Sequence, residues 1–343
     1  MSETTDHLNA IVREYILTDD FVDNIFYGLP TFDNMWDRRE MISGGFLIDW
    51  TFFDTKSQMG QTITAFHDYL VKPESFAKRA SIEWADYIFP VVMSKREIKK
   101  AKTPEAIIKM TDKTVERTRK SARGMLSGDM FGDGQVYNHE LFDGVQVTPM
   151  KGFKLIIDEN RSYAGHDSTD NPLLDSYVKT IAPGNFGEMY TSSDADFLPY
   201  AMEEVLDETE YDAGENVDFI VTTKIMRSAL KRAGYTDVMK LSETHETSKG
   251  DPYTAKMSYK GIEFEGRAVM IDIDCPAGYM FFTNSDTFYL AVLEGAAMNW
   301  QDFQDNSDSD AIVGNFEVSC QIICEEPRKQ GVIKGGSTSR SLS

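Results

Sequence analysis

Apolar and polar residues alternate most clearly between Phe46 and Phe89. In "FLIDWTFF", Phe46, Ile48, Trp50 and Phe52 alternate with Leu47, Asp49, Thr51 and Phe53. In "RASIEWADYIF", Ala80, Ile82 and Trp84 alternate with Ser81, Glu83 and Ala85. A period of two sends successive side chains to opposite faces, so both stretches read as strands. The 25 residues between them contain Gly60 and Pro73. The pattern predicts a long hairpin with an elaborated tip. A two-stranded ribbon is only marginally stable in water, so this one must lie against another surface.

The period then changes. Thr103 suits a helix N-cap, Pro104 the first helical position and Glu105 the positive helix end. Ile108, Thr111, Val115, Thr118, Ala122 and Met125 recur at alternating spacings of three and four. That gives a helix with one thin apolar seam. Gly128 and the Gly132-Asp133-Gly134 turn are expected to end it. So narrow a seam suits a beam across a domain rather than a buried core helix.

Before the hairpin, Leu8, Ile11, Val12, Tyr15 and Ile16 form one short helical pattern. A loop-like stretch with Pro30 and Gly44-Gly45 follows, and the whole reads as an arm that needs another surface. After the long helix the pattern is mixed. "GFKLIID", "VDFIVTT" and "RAVMIDID" read as strands, and "DFLPYAMEEVLDE" and "KIMRSALKRAG" as helices. "KLSETHETSKGDPYT" reads as a polar loop. In "DCPAGYMFFTNSDTFYLAV", two strand segments flank a polar break at Thr283 to Thr287. From Asn299 an Asp- and Asn-rich loop is expected, then the strand "FEVSCQIIC" and a polar tail.

The 343 residues carry 35 Lys and Arg against 56 Asp and Glu, a net charge of −21. That excludes wrapping DNA by general charge neutralisation. The exception is local. From Lys95 to Arg123 there are eleven basic residues against four acids, and Lys113, Arg117 and Lys120 fall on one stripe. A solvated helix face and a strip that meets a polyanion are both open readings.

Three cysteines make no disulfide framework and suit a reducing cytoplasm. No apolar run is long enough for a membrane span, and the acidic N-terminus does not read as a targeting segment. The five histidines show no HxxxH or HExxH spacing, and GxSxG, GxxxxGK[ST] and GxGxxG are absent. "DNSDSD" lacks the glycine and glutamate of a calcium loop. No catalytic residue, cofactor or metal ligand is assigned. A metal-dependent DNA-processing enzyme would need carboxylates brought together from separate elements.

The order of these pieces resembles the major capsid proteins of tailed bacteriophages, with their HK97-like fold. "GGFLIDWTFF" resembles the first strand of the family's extended loop, and "ASIEWADYIFPVVMSKREI" its return strand. "TPEAIIKMTDKTVERTRKSARGMLSGDMFGDG" resembles the spine helix and its exit, and "SYAGHDSTDNP" a linker motif. "VDFIVTTKIMRSAL" and "FEGRAVMIDIDCPAGYMFFTNSDTFYLAV" resemble axial-domain and late segments. The linker "HDSTDNPLLDSY" departs from the basic, Trp-rich residues frequent there.

The resemblance implies an α+β chain in four parts. These are an N-terminal arm (1–44), an extended β-hairpin loop (45–86), a peripheral domain (87–141 plus 280–343, with a spine helix over 103–127) and an axial domain (142–279). It implies copies joined in hexamers and pentamers of an icosahedral shell around double-stranded DNA, with a portal at one vertex. Because the arm is short, it implies a separate scaffolding protein, and it admits a decoration protein. The setting would be a virion assembled in the host bacterial cytoplasm. An inner-face basic strip would comprise Lys109, Lys113, Arg117, Lys120 and Arg123. Inter-subunit contacts of the loop would involve Trp50, Phe52, Phe53, Phe66, Tyr69 and Phe76. An encapsulin-type compartment shell and a phage tail or other virion protein are the alternatives.

Overall fold

A computed structural model describes residues 29–53, 77–100, 104–138, 144, 146–171, 174–191, 195–210, 217–233, 262–305 and 310–339. The expected helical pattern at Leu8–Ile16, the hairpin tip and the polar loop after 240 lie outside the described residues.

Two sheets organise the chain. The first has four strands in the order β1 (Glu40–Ile42), β14 (Phe288–Asp305), β15 (Ala311–Cys324) and β4 (Ala85–Ser94). β1 runs parallel to β14, and the other neighbours are antiparallel. On β4, Ala85, Tyr87, Phe89, Val91 and Met93 point inward, and Asp86, Ile88, Pro90 and Val92 outward. Pro90 is tolerated because β4 is a sheet edge.

The second sheet has six strands. Their order is β11 (Ile262–Phe264), β12 (Arg267–Ile271), β10 (Phe219–Thr222), β13 (Met280–Thr283), β16 (Gly331–Lys334) and β9 (Tyr177–Thr180). Its central strands are buried on both faces, which is why they read as apolar runs rather than alternations. Alternate residues serve two different cores. Phe219, Val221, Met270, Phe281 and Val332 join the core shared with the four-stranded sheet. Ile220, Val269, Met280, Phe282 and Ile333 pack with helices Leu198–Thr209 and Lys224–Arg232 on the other face. The 280–343 segment is therefore split by pairing. β14 and β15 build the four-stranded sheet, whereas β13 and β16 sit in the six-stranded one, contrary to their expected grouping.

The long helix spans Pro104–Met130, three residues beyond its expected end. Met130 and Phe131 are buried, so the chain stays helical past Gly128 to deliver them. Thr111, Val115 and Ala122 are buried as the seam predicts, but Leu126 rather than Met125 takes the innermost place. The hydroxyls of Thr111, Thr114 and Thr118 donate to carbonyls four residues back at 2.9, 2.9 and 3.1 Å. Threonine thus sits in an apolar seam without an unsatisfied hydroxyl.

Four local expectations change. "GFKLIID" is not a strand. Phe153–Ile156 is a short helix, and Phe153, Ile156 and Ile157 are all fully buried. Gly152 sets this up. A Cβ there would lie 2.5–2.7 Å from the carbonyl oxygens of Gly132, Met130 and Asp129, so only glycine lets the chain cross the end of the long helix. Pro30–Asp37 is a helix, not a loop, with Phe32, Met35 and Trp36 buried on one face. The strand expected across Trp84 is two strands, β3 (Ala77–Glu83) and β4. The loop expected from Asn299 is strand as far as Asp305. Trp300 pairs with Phe316, their rings 4.7 Å apart, and Gly314 leaves room for the indole.

One aromatic residue joins all this. The Phe153 ring lies 5.0 Å from Phe131 at the helix exit, 5.4 Å from Phe281 of β13 and 4.8 Å from Phe288 of β14. Nearby, the buried Tyr87 hydroxyl donates to Asp129 at 3.0 Å and accepts from the Met150 amide at 2.8 Å. Burial is the main cause that raises both the Tyr87 phenol and the Asp129 carboxyl above their ordinary values. Removing a buried phenyl ring and leaving a cavity costs about 3–5 kcal/mol. Phe153→Ala is therefore expected to destabilise the folded subunit by about that amount in denaturant titration, and a loss under ~1 kcal/mol would contradict its central place.

Candidate assembly surfaces

The exposed side of the long helix carries most of the expected basic strip. Lys109, Lys113, Arg117 and Lys120 are exposed. Lys113, Arg117 and Lys120 line a shallow hollow of about 490 Å³ with Glu116 and Ser121. Lys120 donates to Glu116 at 2.6 Å, one turn back. That hydrogen bond holds the Glu116 carboxyl below its ordinary range. The strip thus has a partly neutralised end at Lys120 and net positive charge at Lys109, Lys113 and Arg117.

Arg123 does not belong to this surface. It is half-buried, its Nε has no hydrogen-bond partner among the described residues, and its acidic electrostatic neighbours are Asp33, Asp272 and Asp274. Burial lowers its pKa, and these acids oppose the shift. Helical geometry explains the difference. Arg123 lies three and four residues before the buried Leu126 and Ser127, which share its side of the helix, so it borders the seam rather than the solvent stripe.

The base of the hairpin pairs β2 (Leu47–Phe53) with β3 in antiparallel register from Leu47↔Glu83 to Phe53↔Ala77. Of the residues expected to meet a neighbour, Trp50 and Phe52 are engaged within their own chain. The Trp50 ring lies 6.0 Å from Tyr163, and Phe52 meets His166 edge-on at 5.1 Å. Phe53 is in β2, and its side chain lies outside the description, as do Phe66, Tyr69 and Phe76 entirely. The strap that receives the hairpin contains β7 (Ser162–Tyr163) and β8 (His166–Asp167). The His166 Nε2 bonds the Arg79 carbonyl at 2.8 Å, the Ser81 amide donates to the Ala164 carbonyl at 3.2 Å, and Lys78 donates to Asn171. The sequence offered "SYAGHDSTDNP" as a linker but not its contact with the hairpin.

Two exposed apolar surfaces were also not singled out. Ile88 and Val92 are 62% and 53% exposed on the outer face of β4, flanking Pro90. Phe46 is fully exposed where the chain enters β2 after Gly44-Gly45, with Leu47 beside it. On β4 the alternation carries a signal for this, because its outward set, Asp86, Ile88, Pro90 and Val92, is apolar at Ile88 and Val92. Exposed apolar surface of this kind suits contact with another chain.

No group of three His, Cys, Asp or Glu is placed to hold a metal among the described residues. Cys320 and Cys324 are fully buried, and burial pushes the Cys320 thiol up to about 12. No described helix is long and apolar enough to cross a membrane. The remaining small pairing, β5 (Tyr137–Asn138) with β6 (Gln146–Val147), follows the exit of the long helix.

No protein family and no curated protein matches the sequence. Solved structures do match. The capsid asymmetric unit of cyanophage A-1(L) aligns with a TM-score of 0.66 at 15% identity, covering 90% of this chain and 93% of that one. The capsid of a native GTA particle aligns at 0.53 and 13% identity, covering 89% and 90%. The holo-SrpI encapsulin complex of Synechococcus elongatus aligns at 0.51 and 9% identity, covering 93% of each chain. Two sheets joined at one aromatic junction, a long thin-seamed helix and the paired β2–β3 hairpin base thus share the fold of these solved capsid and encapsulin structures, the HK97-like fold.

Proposed function

We propose that this chain is a major capsid protein whose copies form hexamers and pentamers of an icosahedral phage head enclosing double-stranded DNA. The observation that carries the reading is the alignment to the cyanophage capsid subunit over nine-tenths of both chains. The exposed apolar residues of β4 and the hairpin entry support it, because a chain with net charge −21 associates only through good contacts. A separate scaffolding protein, a portal at one vertex, a decoration protein and assembly in the host cytoplasm belong to the same proposal. So does the four-part division into arm, extended loop, peripheral domain and axial domain, with β13 and β16 moved to the axial sheet.

The encapsulin alignment favours a second reading, a compartment shell. The contents of particles from the native source separate the two. Nuclease-protected double-stranded DNA supports the phage head, and a co-purifying cargo protein supports the compartment.

The hairpin is proposed to contact a neighbouring copy. Deleting Thr55–Phe76 is expected to leave a folded subunit, by circular dichroism, that no longer sediments as large particles under conditions where the intact chain does. Large particles from the deletion variant would remove the hairpin from the assembly contacts.

The strip Lys109, Lys113, Arg117 and Lys120 is proposed to face polyanion, either packaged DNA or an acidic scaffold. Replacing Lys113, Arg117 and Lys120 by Gln is expected to weaken binding of isolated capsomers to duplex DNA. The slope of log affinity against log salt should fall by about two to three, at ~0.9 per lost phosphate contact. An unchanged slope, with particles that assemble and fill normally, would leave the strip as a solvated helix face.

A further inference from the structure

The strap that receives the hairpin is built around a buried cation. Arg161 is 8% exposed. Its guanidinium donates to the carbonyls of Asp158 and Leu174 at 2.7 Å each, and to the Ile156 carbonyl. Asp175 lies 3.7 Å from the same nitrogen that bonds Asp158 and Leu174. Its backbone is fixed as well. The Arg161 amide donates to the Ser168 hydroxyl at 2.8 Å, and the Ser168 amide donates back to the Arg161 carbonyl at 2.9 Å. Burial lowers the Arg161 pKa, yet arginine remains charged, so the cost of burial is offset by carbonyl dipoles arranged around a planar fork. One of these, Ile156, ends the short helix that carries Phe153. Arg161 therefore ties the strap directly to the aromatic junction.

From that anchor the chain makes a tight turn. Ala164 and Gly165 both take positive φ, +52° and +83°. A non-glycine residue there is held by its surroundings. The turn projects Tyr163 and His166. The Tyr163 hydroxyl accepts from the Cys324 amide at 2.9 Å, and the Arg161 guanidinium lies 5.5 Å from the Tyr163 ring. The hairpin base then meets this turn on both strands. Trp50 and Phe52 of β2 touch Tyr163 and His166, and Lys78, Arg79 and Ser81 of β3 bond Asn171, His166 and Ala164.

We propose that residues 161–171 are a clamp that presets the direction of the hairpin within the free subunit, with Arg161 as its buried positioning residue. The inference rests on the reading of the hairpin as the arm offered to a neighbouring copy, but the clamp itself needs no neighbour. The contacts named above, all among the described residues, lie within one chain. Ordering the arm beforehand removes part of the conformational cost of association.

The test uses amide hydrogen exchange on the unassembled full chain, so it does not depend on whether shells form. Two variants are compared with the parent. Arg161→Met removes the anchor, and the double variant Lys78→Met with His166→Leu opens the clasp at its surface without touching the buried cation. In both, exchange at residues 47–53 and 77–83 is expected to speed up at least tenfold while β10, β12 and β13 stay as protected as in the parent. Arg161→Lys should fall between, because an ammonium cannot meet three carbonyls with a planar fork. Unchanged protection at the hairpin base in the double variant would overturn the clamp. Equal loss across the hairpin and both sheets in Arg161→Met would overturn a positioning role, since it would make Arg161 a general stability residue. If the clamp survives these tests and the chain forms no shells, the fault lies with the proposed function instead.

Discussion

Burial of the central strands of the six-stranded sheet on both faces is the constraint from which the rest of the subunit follows. Each of its central strands feeds one core with odd residues and another with even ones. On β13, Phe281 goes one way and Met280 and Phe282 the other. These central strands have no solvated face to slide on, so a one-residue register slip would exchange their contributions to the two cores. Phe153 converts this local rigidity into a connection. Its ring touches the helix exit, the six-stranded sheet and the four-stranded sheet together. Full burial of a phenylalanine is worth about 1.5–3 kcal/mol, and each favourable aromatic pair adds about 0.5–1.5. A few rings at one point therefore outweigh any of the surface ion pairs, which contribute about 0–1 kcal/mol each.

A stiff junction leaves the remaining elements free to serve as surfaces. The long helix needs only a narrow seam because its end is held by Met130, Phe131 and the Gly152 crossing. The rest of its circumference is available for charge. β4 closes the four-stranded sheet with one face buried and the other exposing Ile88 and Val92. The hairpin leaves the body from a strap anchored on Arg161, whose hydrogen bonds run back to the short helix of Phe153. Among the described residues, the body exposes Ile88 and Val92, the long helix exposes Lys109, Lys113, Arg117 and Lys120, and the hairpin base exposes Phe46 and Leu47.

Much of this was written in local periodicity, and the misses share a cause. The alternation in "FLIDWTFF" and the seam through Thr111, Val115 and Ala122 both appear where the sequence puts them. The break in "DCPAGYMFFTNSDTFYLAV" also stands, with the Asn284 carboxamide oxygen accepting from the Asp286 amide at 3.0 Å between β13 and β14. What local pattern does not carry is partnership between distant segments. β16 enters between β13 and β9, about fifty residues after the first and some hundred and fifty after the second, and nothing near Val332 encodes that. The acids after Asn299 look like a loop until Trp300 meets Phe316 across the β14–β15 pair. Arg123 belongs by composition to the basic strip and by angle to the seam edge. Arg161 gives no signal in the sequence, since the groups its guanidinium hydrogen-bonds are backbone carbonyls.

We propose that copies of this fold pack against one another into a closed shell, through the exposed apolar residues and the β2–β3 hairpin. Electron microscopy of the purified, overexpressed 343-residue chain tests it most directly. The account predicts closed polyhedral shells, or sheets of hexameric and pentameric capsomers. Monodisperse single subunits at high protein concentration, or open tubes and rings, would contradict it.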